Sequence, residues 1–182
     1  MRIEEQKYFE KGLEYVIRPA AEEDAKELSR LRLQIDVETE NLDRESGEAY
    51  LDEAAFRRLI KADTENSRNL FLVAAADGML VGFSRCEGSE LKRLSHKVEF
   101  GVCVLKDYWG HQIGKKLLER SISWADNNEI KKMALSVLET NEKAISLYKR
   151  LGFRTEGVLR KDKLLSDGNF YDTIVMGRIN LK

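Results

Sequence analysis

Between Leu105 and Leu117 the chain reads Leu-Lys-Asp-Tyr-Trp-Gly-His-Gln-Ile-Gly-Lys-Lys-Leu, with glycines at 110 and 114 and lysines at 115 and 116. The apolar run Val98–Leu105 precedes it as a buried strand, and helical spacing (Ile113, Leu117, Leu118, Ile122, Ala125) follows it. A glycine-bearing loop between strand and helix aims several N–H groups at one point, and the positive end of the helix dipole reinforces them. Phosphate or pyrophosphate is the guest such a loop suits. Lys115 and Lys116 oppose the dipole where they stand, so helix stability alone does not account for them. The glycine and lysine spacing matches neither the P-loop nor the dinucleotide fingerprint. On spacing alone, an ordinary turn that uses glycine for its geometry explains these residues equally well.

Three other residues could do chemistry. Glu99 stands at the head of the Val98–Leu105 strand, where it is either a proton acceptor or an exposed charge on the outward face. Asn141 precedes the apolar stripe Ala144, Leu147, Tyr148 and Leu151 and suits a helix N-cap. Tyr148 on that stripe is either a core aromatic or a phenol aimed at a site. Two histidines, His96 and His111, offer no metal-ligand spacing, so no metal is expected. Cys86 and Cys103 lie in apolar strand-like runs, which argues against a disulfide framework and against a covalent thiol carrier.

These residues need a scaffold, and 182 residues suit one domain. The balance of 31 Lys+Arg against 32 Asp+Glu argues against bulk binding to nucleic acid. No apolar run approaches the roughly 20 residues of a membrane helix, and the polar start MRIEEQKYFEKG is not a signal peptide. A cytoplasmic protein is the expectation. One proline, Pro19, and no linker-like tract point to a single domain over 1–182, with 1–14 as an N-terminal extension. Asp77-Gly78 between two apolar runs signals a hairpin, and Asp167-Gly168 a second. The element order is β-α-α-β-β-β-α-β-α-β-β. It predicts an α/β fold with a mixed, mostly antiparallel central sheet and helices on both faces.

The two segments together resemble the GNAT superfamily of N-acetyltransferases. That family's loop follows Arg/Gln-x-x-Gly-x-Gly/Ala, and its next helix commonly reads Asn-x-x-Ala-x-x-Leu-Tyr-x-x-x-Gly-Phe, which Asn141–Phe153 matches at every named position. The resemblance covers about Tyr15 to Ile179, and the tail from Asp167 to Met176 looks like that of members acetylating small amines, antibiotics or protein N-termini. The loop departs from the pattern: Trp109 replaces Arg/Gln, and Gln112 replaces the first signature glycine. A side chain at 112 narrows the approach to the loop or strains its backbone.

The resemblance implies a GNAT fold and acetyl-CoA as co-substrate. The implied contacts are the backbone of Val102, Cys103 and Val104 along the coenzyme arm, and Trp109, Gly110, His111, Gln112, Ile113, Gly114 and Lys115 at its pyrophosphate. Asn141, Ala144 and Tyr148 complete the set. It further implies Tyr148 as general acid at the thioester sulfur and Glu99 as acceptor of the amine proton. The implied reaction is direct acetyl transfer to a primary amine of a small molecule or a peptide N-terminus, and homodimers are common on this fold. A non-catalytic acyl-CoA sensor of the same fold is the alternative. The stretch Asp36–Glu53 holds eight acids and one base, Arg44. It either lines a mouth for a cationic amine or, as charge runs usually do, forms a solvated face.

Overall fold

The computed structural model describes residues 3–181, so Met1, Arg2 and Lys182 of the span read as one domain lie outside the described residues. The chain opens with a hairpin of β1 (Gln6–Glu10) and β2 (Leu13–Pro19). Its turn residues Lys11 (φ 50°) and Gly12 (φ 83°) both have positive φ, the geometry that matches the twist of a tight hairpin. Residues 6–14 of the segment read as an N-terminal extension therefore belong to the sheet's first hairpin. Gln6–Glu10 adds one strand ahead of the order read from sequence. Its residues, Gln-Lys-Tyr-Phe-Glu, are mostly exposed and show no apolar alternation, because an edge strand buries little of itself.

Next come α1 (Ala25–Glu38) and α2 (Glu53–Glu65), then β3 (Leu70–Ala76), β4 (Met79–Gly88) and β5 (Lys97–Val104). Asp77 (φ 51°) and Gly78 (φ 79°) form the predicted turn between β3 and β4. The rest is α3 (Ile113–Asn127), β6 (Lys132–Leu138), α4 (Glu142–Arg150), β7 (Arg154–Leu164) and β8 (Phe170–Ile179). One sheet of eight strands results, in the order β1-β2-β3-β4-β5-β6-β8-β7. Every neighbouring pair is antiparallel except β5 and β6. Strands β3 and β4 are buried on both faces, which is why β3 reads as an unbroken apolar run.

The helices divide between the two faces, as side chains on adjacent strand positions show. Arg85 of β4 reaches Asp63 of α2 (2.6 Å), whereas Ser84 next to it lies 3.4 Å from Ser121 of α3. Arg178 of β8 pairs with Asp126 of α3 (2.7 Å) and lies against Gly152, just past α4. Helices α1 and α2 thus cover one face, and α3 and α4 the other. No helix among the described residues is long and apolar enough to cross a membrane.

Candidate active site

A parallel pair must be bridged by a crossover, and here α3 is that bridge. Strands β5 and β6 pair at only three positions, Lys97–Lys132, Val98–Met133 and Glu99–Ala134. Beyond Glu99 they diverge, although β5 stays paired to β4 as far as Val104 and β6 to β8 as far as Leu138. The sheet is forked at its centre. Leu105 N–H donates to the Val81 carbonyl (2.9 Å), so the odd-numbered positions of β5 turn their peptide groups toward β4. Val102 and Val104 turn theirs into the fork, and Cys103 does not. Backbone donors and acceptors without a ladder partner are what an extended polar ligand needs.

The loop at the mouth of the fork is fixed by its unusual residues. The Trp109 indole Nε1–H donates to the Val104 carbonyl (2.8 Å), tying the loop back onto β5. Gly110 (φ 90°) makes the turn, and Gln112 caps α3 in the left-handed region (φ 61°, ψ 9°). The Gln112 side chain does not bond the helix end; its Nε2 donates to the Glu10 carboxylate at 2.7 Å. His111 Nδ1 lies 3.3 Å from the Glu10 carbonyl. The expected backbone strain at 112 is thus present, and the hairpin end takes up the side chain. The first intrahelical bond is Lys116 N–H to the Gln112 carbonyl (2.9 Å), which leaves the N–H groups of Ile113, Gly114 and Lys115 as the free end of α3. A Cβ at Gly114 would meet only Val104 Cγ2, at 3.8 Å, so internal packing does not demand glycine there. Its bareness suits a ligand approaching from outside. Lys115 stays beside the loop (Nζ to Gln112 Oε1 3.4 Å) and pairs with Glu119 at 3.7 Å, whereas Lys116 reaches Glu10 as well as Glu119.

Tyr148 enters from α4. Its ring packs against Phe153 (centroids 5.8 Å apart) and is 8% exposed. Burial, with a smaller contribution from nearby Cys103, pushes its pKa up to about 12. Its hydroxyl makes no hydrogen bond among the described residues and is not sealed from solvent. Asn141 caps α4, its Oδ1 accepting from Ala144 N–H (3.3 Å), so those two residues are engaged with each other. Glu99 is exposed and sits at the last β5–β6 pair, where the fork begins.

Two features escaped the sequence reading. Gly101 lies in the middle of β5 on the α1/α2 face, without positive φ and with nothing within 4 Å of an added Cβ. Glycine weakens a strand interior, and here it keeps open the space between Glu99 and Cys103. The second is the fate of the acidic stretch. Glu38 accepts from Lys106 N–H (2.7 Å), Glu40 from Ser166 N–H (3.0 Å), and Asp52 caps α2 through Ala55 N–H (2.7 Å). Asp43 pairs with Lys163, Glu53 with Arg57 (3.0 Å), and Asp36 with Arg44 (3.2 Å). These six of the eight acids thus bond or pair within the chain.

A forked mixed sheet with a helix end at its mouth defines a class, and comparison identifies it. The chain belongs to the acetyltransferase (GNAT) family, whose model matches residues 32–153, and it is accordingly an acyltransferase. Among curated relatives, the L-amino acid N-acetyltransferase AaaT of Escherichia coli (strain K12) is 32% identical over 109 residues, 59% of this chain and 67% of that one. An N-alpha-acetyltransferase of Sulfurisphaera tokodaii is 37% identical over 99 residues, 50% of this chain and 59% of its own length. The GNAT-family acetyltransferase of Streptococcus pneumoniae superposes with a TM-score of 0.88 at 26% identity, over 91% of this chain and 99% of that one. The fold is shared as well with yncA of Salmonella typhimurium, solved with its cofactor acetyl-CoA (TM-score 0.79, 20% identity, 91% and 93% covered).

Proposed function

We propose that this chain is an acetyl-CoA-dependent N-acetyltransferase that moves an acetyl group directly to a primary amine of a small molecule or a peptide N-terminus. The observation that carries the reading is the fork between β5 and β6, with a free helix end at its mouth and, on α4, an unpaired phenol near Cys103 of β5. The family and the named relatives support the same activity. The coenzyme supplies an acyl group activated as a thioester. The N–H groups of Ile113, Gly114 and Lys115, with the Lys115 ammonium, hold its diphosphate. Val102 offers its peptide groups, and Val104 its N–H, to the coenzyme's extended arm, and a β5 N–H in the fork polarises the thioester carbonyl.

The amine nitrogen attacks that carbonyl, the new C–N bond forms, and the C–S bond breaks with its electron pair leaving on sulfur. Tyr148 donates its O–H toward the sulfur. A phenol at about 12 lies far above a thiol near 8.5, so full transfer between the isolated pair is uphill by about 5 kcal/mol. Tyr148 therefore stays protonated at neutral pH and acts first as a hydrogen-bond donor to the developing thiolate. The amine proton goes to Glu99. At about 3.3 Å per strand residue, Glu99 lies roughly 10 Å along β5 from Val102, so water relays that proton.

A thiol-release assay of the purified protein with acetyl-CoA, run against polyamines, amino acids, antibiotics and peptides, tests the reading. Turnover of at least one amine is expected, with Tyr148→Phe losing most of it and keeping coenzyme affinity. A flat panel with acetyl-CoA still bound would point instead to an acyl-CoA sensor.

A further inference from the structure

Helix α1 ends against the chain just past β5. Glu38 in its last turn accepts from Lys106 N–H at 2.7 Å, which lays the preceding turns of α1 beside the end of β5. On those turns stand Arg32 and Asp36, and Arg44 folds back from the following loop. Asp36 has a side chain 2% exposed and takes both hydrogen bonds of Arg44, at 3.2 and 3.4 Å. Arg32 comes no closer to it than 4.0 Å.

Arg32 is thus a guanidinium on a side chain 12% exposed that makes no hydrogen bond among the described residues. None of its nitrogens is wholly sealed from solvent. Two cations share one buried carboxylate, which leaves a net positive charge there. Burial, and Arg44 close by, hold the Arg32 pKa below its ordinary value. Cys103, on the β5 face that α1 and α2 cover, lies near enough to feel both guanidiniums and Asp36. Two acids of the following loop are engaged elsewhere, Glu40 by Ser166 and Asp43 by Lys163. A planar fork of unused donors beside surplus positive charge matches a carboxylate.

We propose that Arg32, with Arg44 beside it, binds the carboxylate of the acceptor, so that the amines this chain acetylates are free α-amino acids rather than polyamines or peptide N-termini. The proposal rests on the acetyltransferase reading and narrows it. A free α-amino acid carries its acid group within a few ångströms of its amine, whereas a peptide N-terminus presents a neutral amide at that position.

The test pairs each free amino acid with its C-terminal amide, adds spermidine and a short peptide, and measures kcat/KM on wild-type protein alongside calorimetric acetyl-CoA affinity. Free acids are expected to exceed their amides by about 10- to 100-fold, mostly through KM, as fits a charge-assisted pair. Arg32→Gln should erase that preference, Arg32→Lys should restore part of it, and acetyl-CoA affinity should stay unchanged in both. Amides, spermidine or peptide used as well as the free acids would overturn the carboxylate subsite and leave the acetyltransferase standing. So would bound acetyl-CoA with no free acid consumed. Loss of acetyl-CoA binding in the wild type would remove the acetyltransferase reading and this inference with it.

Discussion

Gln112 offers a measurable separation of backbone strain from side-chain contact. An L-residue in the left-handed region costs about 1–2 kcal/mol relative to its ordinary conformations. Its hydrogen bond to the Glu10 carboxylate, half-buried at 2.7 Å, contributes roughly 1 kcal/mol or somewhat more. Gln112→Ala removes the bond and keeps the strain, so it should destabilise by about 1–1.5 kcal/mol. Gln112→Gly removes the same bond and relieves the strain, at about 0.5–1 kcal/mol of added chain entropy. Glycine should therefore lie within roughly 0.5 kcal/mol of wild type and about 1 kcal/mol above alanine. For a chain of this size that gap is about 2–4 °C in melting temperature. Urea unfolding of the three proteins, with thermal melts beside it, makes the measurement. Because the free donors belong to Ile113, Gly114 and Lys115, the glycine variant should bind acetyl-CoA within about twofold of wild type. Alanine as stable as glycine would refute the left-handed assignment, and a tenfold loss of coenzyme affinity in the glycine variant would refute the backbone account of the loop.

Trp109→Phe deletes the indole bond to the Val104 carbonyl and should raise KM for acetyl-CoA about five- to tenfold, with kcat little changed, in steady-state assays. Tyr148→Phe should lower kcat by about 10²-fold or more while calorimetry finds acetyl-CoA affinity within a factor of a few. Burial pushes the thiols of Cys86 and Cys103 up to about 12, and the fully buried Cys86 should not react appreciably with a disulfide reagent at pH 8 until the protein is unfolded. The same shifts fix an alkaline limit. The unfolded chain releases these thiol protons, and later that of Tyr148, before the native state does, so stability falls as pH rises from about 9 toward 12. Denaturant midpoints that stay flat across that interval would contradict the burial of these groups.

Most of the scaffold was legible because its elements announce themselves locally. Asp77-Gly78 can turn only tightly, β3 is apolar throughout because both its faces are covered, and the stripes of α2, α3 and α4 repeat at helical spacing. Strand β1 was not legible, since an exposed edge strand leaves no apolar trace. Its role at the loop depends on Glu10 meeting Gln112 across more than a hundred residues of chain. The motif at Asn141–Phe153 located Tyr148, but only the fold shows its hydroxyl unpaired. By composition the acids from Asp36 on suited either a cationic guest or a solvated face; their partners, Lys163, Ser166 and Lys106 among them, come from distant segments that no local pattern reveals. Gly101 is silent in sequence, because a strand glycine means nothing until its open surroundings are seen.

The three residue pairs that stitch β5 to β6 have a consequence for the lifetime of the molecule. Two half-sheets meet along a short seam, and a bound coenzyme would add a second row of stitches. Any ligand that binds only the native state deepens its stability in proportion to RT ln(1 + [L]/Kd), about 2.7 kcal/mol at a hundredfold excess over Kd. On the acetyltransferase reading, the unladen form should therefore be cut faster by an added protease than the form saturated with acetyl-CoA.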